Sequence, residues 1–194
     1  EERGLKLSDE KTVITNINNG FDFLGWNFRK FKEKLLIQPS RKSKQKVTKS
    51  LSRTVKYYHE ASQETLIIKL NQITRGWAEY HHCVCAKKTY ALIDHRLWEM
   101  LWKWAKRRHP RKGRKWIKNR YWHPKGNREW SFRTDRAILY QMMDMPIVRI
   151  PSLDLKKNPF LDSDYFEHRR KQHKKDKETA YFSSTAALSG YYAL

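Results

Sequence analysis

The chain has 194 residues, 42 of them Lys or Arg against 20 Asp or Glu, for a formal net charge of +22. Charge on that scale repels itself and exceeds what solubility needs, so it marks a surface built to meet a polyanion. With 39% hydrophobic and 13% aromatic residues the chain holds enough apolar matter for one large or two small cores, which excludes disorder throughout; no run of 18 apolar residues offers a membrane span.

Residues 5–17 alternate only partly, through Leu5, Leu7, Val13, Ile14 and Ile17, whereas Phe21, Phe23, Trp26 and Phe28 load one face of a strand. Asn19-Gly20 predicts a hairpin turn between these two segments, and 34–38 a further strand that Pro39 and Ser40 close. Gly25 reads as a bulge or as a point where a nucleic-acid backbone comes close.

Helical spacing then takes over. Val47, Leu51, Val55 and Tyr58 form an apolar stripe opposite Lys42, Lys46, Lys49, Arg53 and Lys56, with Lys44 in the same basic set. Such a helix suits phosphates or an anionic membrane surface, and its apolar stripe is too modest for strong insertion. Residues 59–62 break the pattern, and Ser62 caps a second helix. The stripe of that helix is Leu66, Ile67, Leu70, Ile73, Trp77 and Tyr80; Gly76 inside it costs helix propensity unless close packing or a helix end requires it. A third helix over 87–107 carries Tyr90, Ile93, Leu97, Leu101 and Trp104, with Met100 alongside, and stops at Pro110 and Gly113. Short links between the three predict a bundle.

Residues 103–128 hold twelve Lys or Arg and no acid, interleaved with Trp104, Trp116, Tyr121 and Trp122. Charge beside flat rings is the chemistry of nucleic-acid binding. Over 111–150 periodicity is weak, and this piece is expected to fold around its aromatics. Ile138-Leu139 and Met142-Met143 suggest a short helix, Ile147, Val148 and Ile150 a strand, and Asn158-Pro159 a turn. A helix over 165–177 comes next, carrying Arg169 and Arg170, before a tail expected to fray from Tyr181. The fold class expected is therefore mostly α: a small N-terminal β unit (1–40), a three-helix bundle (41–109), a small irregular α+β basic domain (110–180) and a tail (181–194).

Catalytic chemistry is thin. Asp9, Glu10, Asp22, Asp94, Glu99, Asp135, Asp144 and Asp154 form no paired Asp-Asp turn, and Asp22 reads as a turn or sheet-edge residue; no phosphate-binding loop, dinucleotide fingerprint or zincin motif is present. His81, His82, Cys83 and Cys85 lack the spacing of a zinc finger, and the two cysteines, one residue apart, suit a reducing compartment. No catalytic or metal-ligating residue is assigned.

Several strings resemble one family. Arg3-Gly4-Leu5, Glu10-Lys11-Thr12 and Gly20-Phe21-Asp22-Phe23-Leu24-Gly25-Trp26 resemble the end of the palm in group II intron-encoded reverse transcriptases, the maturases. Leu70-Asn71, Ile73, Arg75-Gly76-Trp77 and Tyr80 look like the signature of their maturase-specific X domain. Trp104, Arg107-Arg108-His109-Pro110, Trp116 and Tyr121-Trp122 are similar to the junction into the DNA-binding region, and 147–169, with Asn158-Pro159 and Tyr165-Phe166-Glu167, resembles the end of that region.

The resemblance implies a thumb of three helices that grips template-primer duplex and binds intron RNA, followed by a domain that meets target DNA. Lys42, Lys44, Lys46, Lys49, Arg53, Lys56 and Arg75 would then hold RNA or duplex. Lys106, Arg107, Arg108, Arg111, Lys112, Arg114, Lys115, Lys118, Arg120, Lys125, Arg128, Arg169 and Arg170 would hold RNA or DNA. Gly25, Trp26, Gly76, Trp77, Tyr80, Trp104, Pro110, Trp116, Tyr121 and Trp122 would be structural. The resemblance implies no cofactor on this chain and Mg²⁺ for the intron RNA and the parent polymerase. Its partners would be group II intron RNA, target DNA or RNA–DNA duplex, and the remaining fingers and palm, which in that family lie upstream of Glu1. No membrane is involved, and the place expected is the bacterial cytoplasm or an organelle. The chain, which does not begin with Met, reads as part of a longer protein. Two rival readings are a metal-dependent nuclease using Asp22, Asp135 or the histidines, and a protein-docking module of a polymerase.

Overall fold

The computed structural model describes residues 12–151 and 153–186; Leu5 and Leu7, and the strings at residues 3–5 and 10–11, lie outside them. The fold is mostly α, with five α-helices and two small antiparallel sheets among the described residues.

Three strands, β1 (Phe21–Phe23), β2 (Trp26–Phe31) and β3 (Lys34–Pro39), pair in the order β1-β2-β3. The hairpin turn falls at Leu24-Gly25, not Asn19-Gly20, so the expected single strand over 21–28 is two. Leu24 (φ 47°) and Gly25 (φ 81°) both occupy the left-handed region that a two-residue type I′ turn requires, which replaces the bulge reading of Gly25. Asn19 and Gly20 make a separate turn: both amides donate to the Asn16 carbonyl, at 2.9 and 3.3 Å. Phe21 opposes and stacks on Phe28 at 5.3 Å, and Asp22 accepts from its cross-strand partner Asn27 at 2.8 Å. The sheet thus keeps Phe21, Phe23, Trp26, Phe28, Leu35 and Ile37 on one face. Only the Trp26–Ile37 end reaches the helical core; Phe21, Phe23 and Leu35 stay 42–57% exposed.

Ser40 ends the sheet and caps α1 (Arg41–Tyr57), its Oγ accepting from the Ser43 amide at 3.1 Å. Ser62 caps α2 (Gln63–His81) the same way through Thr65. α3 (Lys87–Arg108) comes after a short turn and ends before Pro110. The predicted stripes are the core: Val47, Leu51, Val55, Leu66, Ile67, Leu70, Tyr90, Ile93, Leu97, Leu101 and Trp104 are buried. Tyr80 departs from its stripe. It is 49% exposed and donates to the Leu24 carbonyl at 2.6 Å, holding the β1–β2 turn on α2. Gly76 is exposed, with nothing within 4 Å of where a Cβ would stand, so neither packing nor a helix end accounts for it.

Beyond Pro110 the chain is more regular than its weak periodicity suggests. α4 (Arg114–Tyr121) leads into the hairpin β4 (Trp122–Lys125) and β5 (Arg128–Phe132), and a 3₁₀ turn forms at Met142–Asp144. The expected strand at 147–150 is absent; the Val148 amide donates instead to the His82 carbonyl at 3.0 Å. The core runs unbroken from the bundle through Ile117, Tyr121, Trp122 and Phe132 to Met145.

Polar side chains of the bundle stitch this segment down. Gln63 donates to the Tyr121 and Arg133 carbonyls, Asn71 bonds both the Ile138 carbonyl and the Tyr140 amide, and Asp94 accepts from the Met142 and Met143 amides. α5 (Ser163–Ala186) begins two residues earlier than expected and stays helical from Tyr181 to Ala186, where fraying was expected; the rest of that expected tail lies outside the described residues. Lys177 and Tyr181 both bond Glu79 of α2, anchoring its C-terminal half.

Candidate nucleic-acid interface

At about 100° per residue, Lys42, Lys46, Lys49, Arg53 and Lys56 fall within roughly 80° of arc on α1, diametrically opposite Val47, Leu51 and Val55. All five are exposed, and none forms an ion pair with a described residue. Lys44 lies on the other side, toward the buried stripe, and is half-buried. The free face of α1 is therefore a row of five cations about 20 Å long, on a helix locked to the bundle from behind.

A polar hub sets that helix in place. Ser43, on the bundle side of α1, accepts from the Trp77 indole of α2 at 3.1 Å and lies 3.1 Å from Nε2 of His81. The other ring nitrogen of His81 accepts from the Trp26 indole of β2 at 2.9 Å. His81 is fully buried, and desolvation pushes its pKa down to about 4. Sequence spacing singled out Trp26 and Trp77 but neither Ser43 nor the buried role of His81. A lone polar residue on an apolar helix face was the available signal.

The second basic tract starts at the end of α3. Lys106 and Arg107 are exposed, as are Arg111, Lys112, Arg114, Lys115 and Arg120 on the loop and on α4. Others of the predicted set have structural engagements. The Arg108 guanidinium donates to the His59 and Ala61 carbonyls and lies 4.6 Å over the Trp104 ring, closing the end of α1 against α3. Arg128 grips Asp144 with both terminal nitrogens, and the Asp144 side chain is only 6% exposed. Lys118 sits 4.8 Å over Trp130, Arg75 lies 5.2 Å over Tyr140, and Arg169 bonds the Pro151 carbonyl. Lys125 is half-buried, and desolvation lowers its pKa. Arg170 is exposed on α5.

The rings within the basic tract divide sharply. Trp104, Tyr121 and Trp122 are buried, and Trp102 and Trp122 pack at 5.3 Å in a group that includes Trp98 and Trp130. Trp116 is 39% exposed, set at 4.7 Å against His109, with Lys112 5.4 Å over its ring. α3 ends at Arg108, two residues before Pro110.

Cys83 is half-buried and Cys85 exposed, both free; among the described residues no three His, Cys, Asp or Glu side chains gather where they could hold a metal ion. Asp22 is committed to Asn27, and Asp135 is exposed. Among the described residues no helix is long and apolar enough to cross a membrane.

Residues 41–122 match the protein family Group II intron, maturase-specific domain. The match begins at the first residue of α1 and ends on the first residue of the β4–β5 hairpin, so it takes in the bundle, the basic row and the exposed Trp116. No curated protein matches the chain.

Proposed function

We infer that this chain, whose helical bundle matches the group II intron maturase-specific domain, acts in group II intron splicing by binding the intron RNA along α1 and the tract from Lys106 to Arg120. The observation that carries the reading is the row of five exposed cations on α1, which no described carboxylate neutralises, held rigid by the Ser43–His81 hub. Backbone phosphates along an RNA groove fit such a row, and binding releases their counterions. The splicing chemistry and its Mg²⁺ belong to the RNA; the protein favours the active RNA fold by as much as it binds that fold better than others.

Three finer roles complete the proposal. The α1 face also serves template-primer duplex. The α4 and α5 cations, Arg170 among them, meet target DNA during intron mobility. The open end of the sheet, where Phe21, Phe23 and Leu35 are exposed, receives the remaining palm of an intron-encoded reverse transcriptase.

The test is a splicing assay with a group II intron RNA at a Mg²⁺ concentration where the RNA alone splices poorly. The full chain is expected to raise the spliced fraction, and Lys46→Glu/Lys49→Glu/Arg53→Glu to abolish the gain while the helical melt is kept. Full activity in the triple variant would overturn the assignment of α1. Mg²⁺- or Mn²⁺-dependent cleavage by the purified chain, lost on Asp22→Ala or Asp135→Ala, would favour a nuclease instead.

A further inference from the structure

We propose that the groove between the C-terminal ends of α1 and α3 takes a single unpaired RNA nucleotide, with its base and sugar on an apolar floor and its phosphate on a cationic rim. The inference rests on the RNA-binding reading above and adds a local site to it. The two helix ends are physically joined: the Trp104 indole donates to the Tyr58 carbonyl at 3.2 Å, and Arg108 bonds the carbonyls of His59 and Ala61. Between them lies a cavity of about 460 Å³, within the size range of sites for small organic ligands.

Its lining reflects helical spacing. On α3, Met100, Lys103, Trp104 and Arg107 stand at i, i+3, i+4 and i+7; on α1, Val55 and Lys56 face them. The floor is apolar, with Val55 and Trp104 buried and Met100 half-buried. The rim is cationic in balance: Lys56, Lys103 and Arg107 are exposed and none forms an ion pair with a described residue, while Glu60, the one carboxylate in the lining, lies 3.4 Å from Nε2 of His59. A simpler account makes these cations partners of the helix dipoles at the two C-termini. That account covers Lys56 and Arg107. It does not cover Lys103, set back from the last turn, nor the apolar floor below.

A free phosphate needs no such floor, and a base held in a duplex stack cannot reach it. An unstacked nucleotide, which offers both an apolar face and a charge, matches both halves of the groove. Position supports the same occupant. Lys56 is the last cation of the α1 row, and Lys103 stands about one turn before the tract that opens at Lys106, so a strand tracking both crosses the groove.

The test compares two RNA hairpins titrated into the full chain, one with a single bulged 2-aminopurine and one with the same base paired. The bulged hairpin is expected to bind about tenfold more tightly, with a change in 2-aminopurine fluorescence. Ser52→Phe, which fills the groove from α1, is expected to erase the preference while keeping the affinity for the paired hairpin. Should that variant lose its helical melt, Lys103→Ala, at an exposed side chain, decides alone by narrowing the preference. Equal affinity of the native chain for both hairpins, or a preference that Lys103→Ala leaves intact, overturns the inference while backbone binding stands. Absence of salt-sensitive binding to either hairpin overturns the RNA-binding reading itself.

Discussion

The indole N–H of Trp26 donates to Nδ1 of His81 across 2.9 Å, and this one bond fixes the histidine's protonation state. An indole nitrogen only donates, so Nδ1 carries no hydrogen and the ring proton sits on Nε2, where the Ser43 hydroxyl accepts it at 3.1 Å. One neutral ring thus ties the sheet, α1 and α2 together. Protonating Nδ1 would set N–H against N–H inside the core.

The consequence is a pH dependence of defined sign. Burial holds the His81 pKa at about 4 in the folded chain, against an ordinary value of 6.5. Above pH 6.5 both states are neutral and the hub is at full strength. As pH falls from 6.5 toward 4 the unfolded chain takes a proton that the folded chain refuses, and stability drops; below about 4 this group adds no further loss. The full linkage is ~3 kcal/mol. Denaturant unfolding at pH 7 and at pH 4.5 should show the drop as the difference in slope between the native chain and His81→Phe, because Asp94, whose pKa burial raises to about 6, shifts the slope of both chains the opposite way over the same range. An unchanged pH slope in that variant would place the proton uptake elsewhere.

Two cationic sites from the same basic tract should separate under mutation. Arg128→Ala leaves the nearly covered Asp144 carboxylate without its bidentate partner and is expected to cost about 1.5–3 kcal/mol of stability, with little change in RNA affinity. Arg114→Ala/Lys115→Ala removes two exposed charges and should do the reverse: a stability change within about 0.5 kcal/mol and weaker binding. Urea melts and filter binding on the same preparations distinguish the two. Equal RNA losses from both would show that Arg128 leaves Asp144 to meet phosphate.

Salt offers a count of the contacts along α1. For each phosphate contact removed, the slope of log K against log salt should become shallower by about 0.7 to 0.9. Lys46→Glu/Lys49→Glu/Arg53→Glu should therefore shallow the slope by at least about 2. If the affinity falls while the slope stays fixed, the three side chains act on folding or on a partner other than the phosphate backbone.

The bundle was readable because its signals are local and redundant. Val47, Leu51 and Val55 repeat at helical spacing, Ser62 caps, and Pro110 stops α3, so pattern, cap and breaker agree. The basic face of α1 came from the same spacing. Elsewhere the deciding interactions join residues far apart in the chain. The turn at Leu24-Gly25 lacks the usual dipeptide, and Tyr80, 56 positions on, helps hold it. The segment beyond 133 takes its course from Asn71 and Asp94 on the helices, not from its own periodicity. Whether Arg108 and Arg128 were free or engaged depended on partners 47 and 16 residues away, information that a run of basic residues does not carry.

The tryptophans of the basic tract supply the last contrast. Trp122 is 2% exposed and packs against Trp102 and Phe132, so Trp122→Ala opens a cavity in the core and should cost about 3–5 kcal/mol. Trp116 stands 39% exposed between Lys112 and His109 on the cationic surface. Its loss should barely move the melting curve yet weaken binding to a single-stranded RNA by about 1–3 kcal/mol, the worth of one base stacked on a ring. Phe should restore most of that binding and Leu little of it, because the stack needs a flat face while mere burial does not. Quenching of Trp fluorescence on titration with RNA should diminish selectively in Trp116→Phe. If Leu rescues as well as Phe, Trp116 is an apolar brace for His109 and Pro110, and the cations around it bind alone.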